Sequence, residues 1–162
     1  MTQQDQPASP SDPSEEEMVP IEDITVASES EGHKIILKEK ADSQGQVEMF
    51  VGGSELAAIA KELGLLESSR PLPHELYTSI LDGLDISFEK LVIYGLSDNA
   101  YLARLEYTKM GRSETIEIRP SDGVALALKH KLPIRLNRRL LKGILSLEDQ
   151  ATMNDLVKTV KF

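Results

Sequence analysis

Two short stretches of this sequence put arginine, histidine and acids where they can handle a phosphate. The first is Arg70-Pro71-Leu72-Pro73-His74-Glu75-Leu76. Pro73 suits the first position of a helix, where its missing N–H would be unpaired anyway, so His74 and Glu75 fall in the first turn. The second is residues 117–128, EIRPSDGVALAL. Glu117 and Arg119 alternate on a strand and project from one face. Pro120 stops the ladder, Ser121 follows in the N-cap position, and Asp122 sits where the helix dipole favours a carboxylate.

Each stretch is a helix mouth led by an arginine, an arrangement that favours an anion. Arg70, Arg119 and Ser121 are therefore candidate phosphate ligands. His74 is the side chain here that exchanges protons near neutrality. Glu75, Glu117 and Asp122 are hard oxygen donors of the kind Mg²⁺ or Mn²⁺ accepts, and with His74 they form the candidate catalytic set. Phosphodiester cleavage uses all these parts: positive charge for the phosphorane, acids to bind metal or activate water, and a histidine to move protons. The same residues have a purely structural reading, with Arg70 clamping Glu75, Arg119 clamping Asp122, and Ser121 and Asp122 acting only as caps. Spacing alone leaves both open.

A third feature is a run of bases. Lys129, Lys131, Arg135, Arg138, Arg139 and Lys142 occur with no intervening acid. Such a surface binds phosphate backbones through counterion release, and it also serves as an ordinary solvated face. Other chemistries are absent. There is no P-loop, no G-x-G-x-x-G and no H-E-x-x-H. With no cysteine, disulfides, thiolate metal sites and a cysteine nucleophile are excluded. No tryptophan and seven Tyr plus Phe leave little for base stacking.

The elements that must position these residues read as follows. Residues 20–26 form a first strand, residues 33–39 and 46–51 a hairpin, and Ser54 caps a helix running toward Gly64 with Leu56, Ile59, Ala60 and Leu63 on its face. The helix opened by Pro73 buries Leu76, Tyr77, Ile80, Leu81 and Leu84. Residues 88–96, 100–107 and 114–119 make a meander, turning at Ser97-Asp98-Asn99 and at Met110-Gly111. Small residues at Gly123, Ala125 and Ala127 let the next helix pack closely on a sheet. Residues 133–136 are a short strand and residues 138–145 one or two helical turns. Residues 54–60 echo residues 121–127, through duplication or through shared capping chemistry.

The chain has 162 residues and a formal charge of −9. Residues 1–31 hold nine acids and no Lys or Arg, so the remainder balances 18 acids against 18 bases. Residues 1–18 read as a disordered acidic tail, serving solubility or competing with nucleic acid for a basic surface. Residues 19–145 form the domain, and residues 146–162 a C-terminal amphipathic helix with Met153, Leu156, Val157 and Val160 on one face. No leader-like or membrane-spanning run occurs, so a cytoplasmic protein without a membrane partner is expected. The expected fold is α+β, a single compact domain with an antiparallel-rich sheet and helices packed mainly on one face.

At these motifs the chain resembles the bifunctional nuclease domain family of small bacterial and plant proteins. RPLPHEL matches the family's R-P-x-T-H-D-L, and residues 116–127 match D-A-R-P-S-D-A-I-A-L-A. Ala103-Arg104-Leu105, Pro133-Ile134 and the helix at residues 54–60 also correspond, so the likeness covers about residues 26–142. It departs at Pro73 for Thr, at Glu75 and Glu117 for Asp, and at Gly123 for Ala. The resemblance implies cleavage of both DNA and RNA. The expected function is a nuclease assisted by Mg²⁺ or Mn²⁺ with no organic cofactor. The alternative is a non-catalytic nucleic-acid-binding or regulatory module, or a homo-oligomeric scaffold that keeps the fold.

Overall fold

The computed structural model describes residues 12–142. Residues 1–11 of the expected acidic tail and the expected helix at 146–162 lie outside the described residues.

The meander forms where alternation requires it. Strands β5 (Ile86–Ser97), β6 (Ala100–Lys109) and β7 (Arg112–Ile118) pair antiparallel in sequence order. Asp98 and Asn99 adopt φ of 48° and 61°, the left-handed conformation that a two-residue hairpin needs and that Asp and Asn tolerate. Met110 and Gly111 do the same at the second turn. Ala103 and Leu105 are buried on one face of β6, which leaves Arg104 and Glu106 on the other. Strand β8 (Ile134–Asn137) runs parallel to β5 on its far side, and β1 (Met18–Pro20) pairs antiparallel with β8. The sheet order is β1-β8-β5-β6-β7. The expected tail–domain boundary at residue 18 falls inside this structure: Glu15–Glu17 form a 3-10 turn that leads directly into β1.

The strand expected at residues 20–26 is two strands in two sheets. Ile21 N donates to Ile134 O at 2.9 Å, and Glu22 N donates to Lys38 O at 3.1 Å, so the chain crosses between sheets in one step. Beyond the crossing, β2 (Asp23–Glu29), β3 (Gly32–Lys38) and β4 (Gln46–Val51) form a separate three-stranded antiparallel sheet. Buried apolar residues at alternate positions look alike on either side of that step, which is why the pattern reads as continuous.

Helix α3 (Pro120–His130) packs on β5 and β6, and α1 (Gly53–Glu62) packs between α3 and the three-stranded sheet. One core, including Ile35, Leu37, Ile59, Leu91, Ile93, Val124 and Leu136, joins both sheets through these helices. The small residues of α3 are buried as expected. A Cβ at Gly123 would overlap Leu91 Cδ1 and lie 3.1 Å from Cδ2, so the helix seats at a depth where a larger residue would have to displace the Leu91 side chain. The fold is α+β and rich in antiparallel pairs.

Helix α2 (Pro73–Leu81) reverses the expected orientation. Its buried residues are His74 and Thr78, whereas Leu76, Tyr77, Ile80 and Leu84 are 51%, 60%, 62% and 55% exposed, and Leu81 is half-buried. The reason is polar: positions 74 and 78 share a stripe one turn apart, and both find hydrogen-bond partners on the neighbouring helices.

Candidate functional site at the helix mouths

The start of α3 is two residues earlier than the cap chemistry of serine suggests. Pro120 takes the first helical position and Arg119 the N-cap, which places Ser121 inside the first turn and Asp122 at its third residue. Helix α1 begins the same way, with Gly52 at the N-cap, Ser54 inside the turn and Glu55 third. The sequence echo between the two helices therefore matches like positions, and their acids converge on one guanidinium. Arg119 Nε donates to Asp122 Oδ2 at 2.7 Å and Nη2 to Oδ1 at 3.0 Å, while Nη2 lies 2.9 Å from Glu55 Oε1. Asp122, then Glu55, hold the Arg119 pKa above its ordinary value. The Arg119 side chain is nonetheless 67% exposed. Glu55 was not a predicted site residue, although the echo pointed to it.

His74 is 7% exposed and sits under α1. Its Nε2 is 2.8 Å from Glu62 Oε1, and its Nδ1 is buried with no partner among the described residues. Glu75 turns away. Its Oε2 accepts from Lys61 Nζ at 2.6 Å and from the Leu72 N–H at 2.8 Å, and Lys129 Nζ lies 3.9 Å from Oε1. Lys61, followed by the Leu72 N–H, holds the Glu75 carboxyl below the usual carboxylate range. The expected Arg70–Glu75 clamp is not formed, because Lys61 occupies that role. Arg70 is exposed, and its backbone carbonyl accepts from Ser68 Oγ at 2.7 Å. Deeper along α2, Thr78 Oγ1 donates to His74 O at 3.0 Å, which leaves its lone pair to accept from His130 Nε2 at 3.0 Å. Burial, then the Lys129 charge, lowers the His130 pKa.

Glu117 lies elsewhere. It pairs with Arg104 across β6 and β7, and its carboxylate accepts from Tyr94 Oη at 2.9 Å. Burial, then this contact, raises the Tyr94 pKa.

Two clefts meet at Arg119. A cleft of about 340 Å³ is bordered by Glu55, His74, Arg119, Ser121 and Asp122, with Tyr77 and Pro73 at its rim. A wider one of about 800 Å³ shares Glu55, Arg119 and Ser121, runs along β4, and reaches Glu117 and Lys142. The fold thus gathers His74, Arg119, Ser121 and Asp122 from both motifs. It leaves Glu75 and Arg70 outside, and Glu117 borders only the wider cleft.

The acids expected to share one ion, Glu75, Glu117 and Asp122, have separate partners and do not converge. Among the described residues, the His and carboxylate ligand atoms that lie within 4.8 Å of one another belong to Glu62, His74 and Glu75. Glu62 was missed because nothing local connects it to a histidine twelve residues later. The basic run is likewise divided. Lys129 faces Glu75, Lys142 borders the wider cleft, Arg135 lies on the outer sheet face, Arg139 pairs with Glu17, and Lys131 and Arg138 are exposed.

The antiparallel-rich α+β frame carries both motifs by which the chain resembles the bifunctional nuclease domain family. The model of the Bifunctional nuclease domain matches residues 35–146, and the chain belongs to that family. It is 32% identical over 107 residues to an uncharacterized protein of Mycobacterium tuberculosis, which covers 66% of this chain and 63% of that one. It is 24% identical over 111 residues to bifunctional nuclease 1 of Oryza sativa subsp. japonica, which covers 67% of this chain and 34% of the rice protein. The chain therefore spans less than two thirds of the mycobacterial relative and about a third of the rice one. Among the described residues, no helix is long and apolar enough to cross a membrane.

Proposed function

We propose that this chain hydrolyses phosphodiester bonds of DNA, RNA or both in the cleft where the mouths of α1, α2 and α3 meet. The observation that carries this reading is that His74, Arg119, Ser121 and Asp122, drawn from two separate motifs, border one cleft of about 340 Å³. Arg119 and the first N–H groups of α3 would hold a phosphate oxygen, with the guanidinium exchanging a carboxylate for the phosphate. Asp122, released from Arg119 by that exchange, is placed to orient the attacking water. His74 can pass a proton to the leaving oxygen, since an imidazole gains and loses protons near neutral pH.

A divalent ion, Mg²⁺ or Mn²⁺, is part of this proposal. The donor set that fits one is Glu62, His74 and Glu75, whose mixed imidazole and carboxylate character suits Mn²⁺ better than Mg²⁺; with an ion there, His74 would be a ligand and not the proton donor. The buried Nδ1 of His74, without a partner among the described residues, supports a polar occupant nearby, and Lys61 is the cation an ion would displace. When bound, the ion supplies Lewis-acid charge for the phosphate and lowers the pKa of its water.

A second reading is favoured by one observation: Arg119 is already closed on Glu55 and Asp122, as a structural clamp would be. The domain would then bind nucleic acid or a regulatory partner without cutting. The deciding experiment is cleavage of single- and double-stranded DNA and RNA in Mg²⁺, Mn²⁺ or chelator, using the wild type and Asp122→Asn. The nuclease reading expects divalent-dependent cleavage that Asp122→Asn abolishes with little change in melting. Unchanged turnover in that variant removes this cleft as the site. Salt-sensitive binding without cleavage under any condition selects the binding module.

A further inference from the structure

The outer face of the five-stranded sheet, turned away from α3, is built like a phosphate-binding surface and is covered by acids from the same chain. Alternation along β5, β6 and β8 places Lys90, Arg104 and Arg135 there together, since their neighbours Leu91, Ala103, Leu105, Ile134 and Leu136 are buried in the core. Arg104 lies 5.4 Å over the Tyr94 ring, and Arg139 follows at the end of β8. The acids on this face are Glu106, which pairs with Lys90 at 3.2 Å and Arg104 at 3.6 Å, Glu117 on Tyr94, and Glu89, which accepts from Thr108 Oγ1 at 3.2 Å. Among the described residues, four bases thus face three acids before the N-terminal segment is counted.

Residues 12–17 supply the missing negative charge. Asp12 pairs with Arg104, Glu15 lies 3.7 Å from Lys90, and Glu17 pairs with Arg139. The segment draws on a stretch with nine acids and no bases in its first 31 residues. Its side chains lie at the surface, Asp12 at 67% and Glu15 at 82% exposed. Each such pair is worth on the order of 0–1 kcal/mol, so the cover is shallow. It is tethered at one end, where Met18 and Val19 are buried and β1 is paired with β8. A weakly held segment on a fixed tether competes through high local concentration and gives way to a ligand that makes several contacts at once.

We propose that this outer face is a second nucleic-acid surface, recognising the phosphodiester backbone, and that the acidic segment at residues 12–17 closes it in cis by placing carboxylates where phosphates bind. The proposal rests on the nucleic-acid part of the function above and not on cleavage. It also gives the family's substrate a route that does not depend on the helix-mouth cleft.

The test is binding of the full chain to labelled single-stranded DNA, single-stranded RNA and duplex DNA by fluorescence anisotropy in chelator, where no cutting is needed. Asp12→Asn/Glu15→Gln/Glu17→Gln opens the face. Glu22→Gln/Glu31→Gln/Asp42→Asn changes the net charge equally at positions that make no ion pair with this face. The opened variant should bind ~10-fold tighter at low salt, and the control within about twofold of wild type. Adding Lys90→Ala and Arg104→Ala should abolish the gain. Equal tightening in both triple variants would reduce the effect to net charge and overturn the proposal, as would a gain that survives loss of Lys90 and Arg104. The three probes show whether the backbone read is RNA or DNA, single or double. A gain in the absence of any cleavage activity leaves this surface standing and removes the nuclease reading. Cleavage without a gain does the reverse.

Discussion

One added methyl group at Gly123 tests the packing that sets the depth of the α3 mouth. Gly123 follows Asp122 directly, so the position of the acid that holds Arg119 depends on how closely this turn approaches β5. In Gly123→Ala the new Cβ overlaps Leu91 Cδ1, with Cδ2 at 3.1 Å and Cγ at 3.3 Å. Leu91 is fully buried and cannot swing aside into solvent. Replacing glycine by alanine in a helix stabilises by at most ~1 kcal/mol through backbone entropy. Overpacking a closed core costs about 1–3 kcal/mol. The steric term wins, and the variant should lose on the order of 1 kcal/mol, which for a domain of this size lowers Tm by about 3–5 °C. Calorimetry or a urea titration reads the loss. Leu91→Val removes the clashing arm and should itself cost ~1 kcal/mol as a cavity. In the double variant the two losses should fall short of additive by at least about 0.5 kcal/mol. A Gly123→Ala protein that melts at or above the wild-type temperature would refute the packing argument.

The remaining predictions concern α2. The Glu75 carboxyl is held below its ordinary value of 4.5 by Lys61 and the Leu72 N–H, so its stabilisation is fully present above that value and fades as pH falls through it. Urea midpoints should therefore drop more steeply below pH 4.5 for wild type than for Glu75→Gln, and parallel profiles would show that the ion pair carries no such linkage. Ile80→Ser, at a position 62% exposed, should change stability by no more than about 0.5 kcal/mol. A loss above ~2 kcal/mol would mean that this face is covered in solution.

The motifs were legible in the residues because they are local. Pro73 and Pro120 open helices by a rule that needs no neighbours, and α2 begins at Pro73 as read. At the second motif the same rule overrode the serine cap, which is why Arg119 and not Ser121 occupies the N-cap. The strand read at residues 100–107 is β6, in which Ala103 and Leu105 are buried. The face of α2 was misread for a different reason. An apolar stripe shows which residues would benefit from burial, but the buried stripe belongs to the side that finds partners, and Glu62 and His130 offered them to His74 and Thr78.

The sequence by itself determined the α+β class, the meander with the positions of its turns, the close approach of α3 to the sheet and the two motifs that mark the family. Each of these follows from spacing within about a dozen residues, where backbone geometry leaves few choices. Tertiary structure alone decided that one chain step separates two sheets and that Glu55 and Asp122 share Arg119. It also decided that Glu117 faces away with Tyr94, and that acids from the N-terminal segment lie on Lys90 and Arg104. For the two arginine- and lysine-centred pairings the physical reason is the same. A charged side chain takes its partner from whatever opposite charge the packed core brings within reach, and that depends on contacts between residues far apart in the chain.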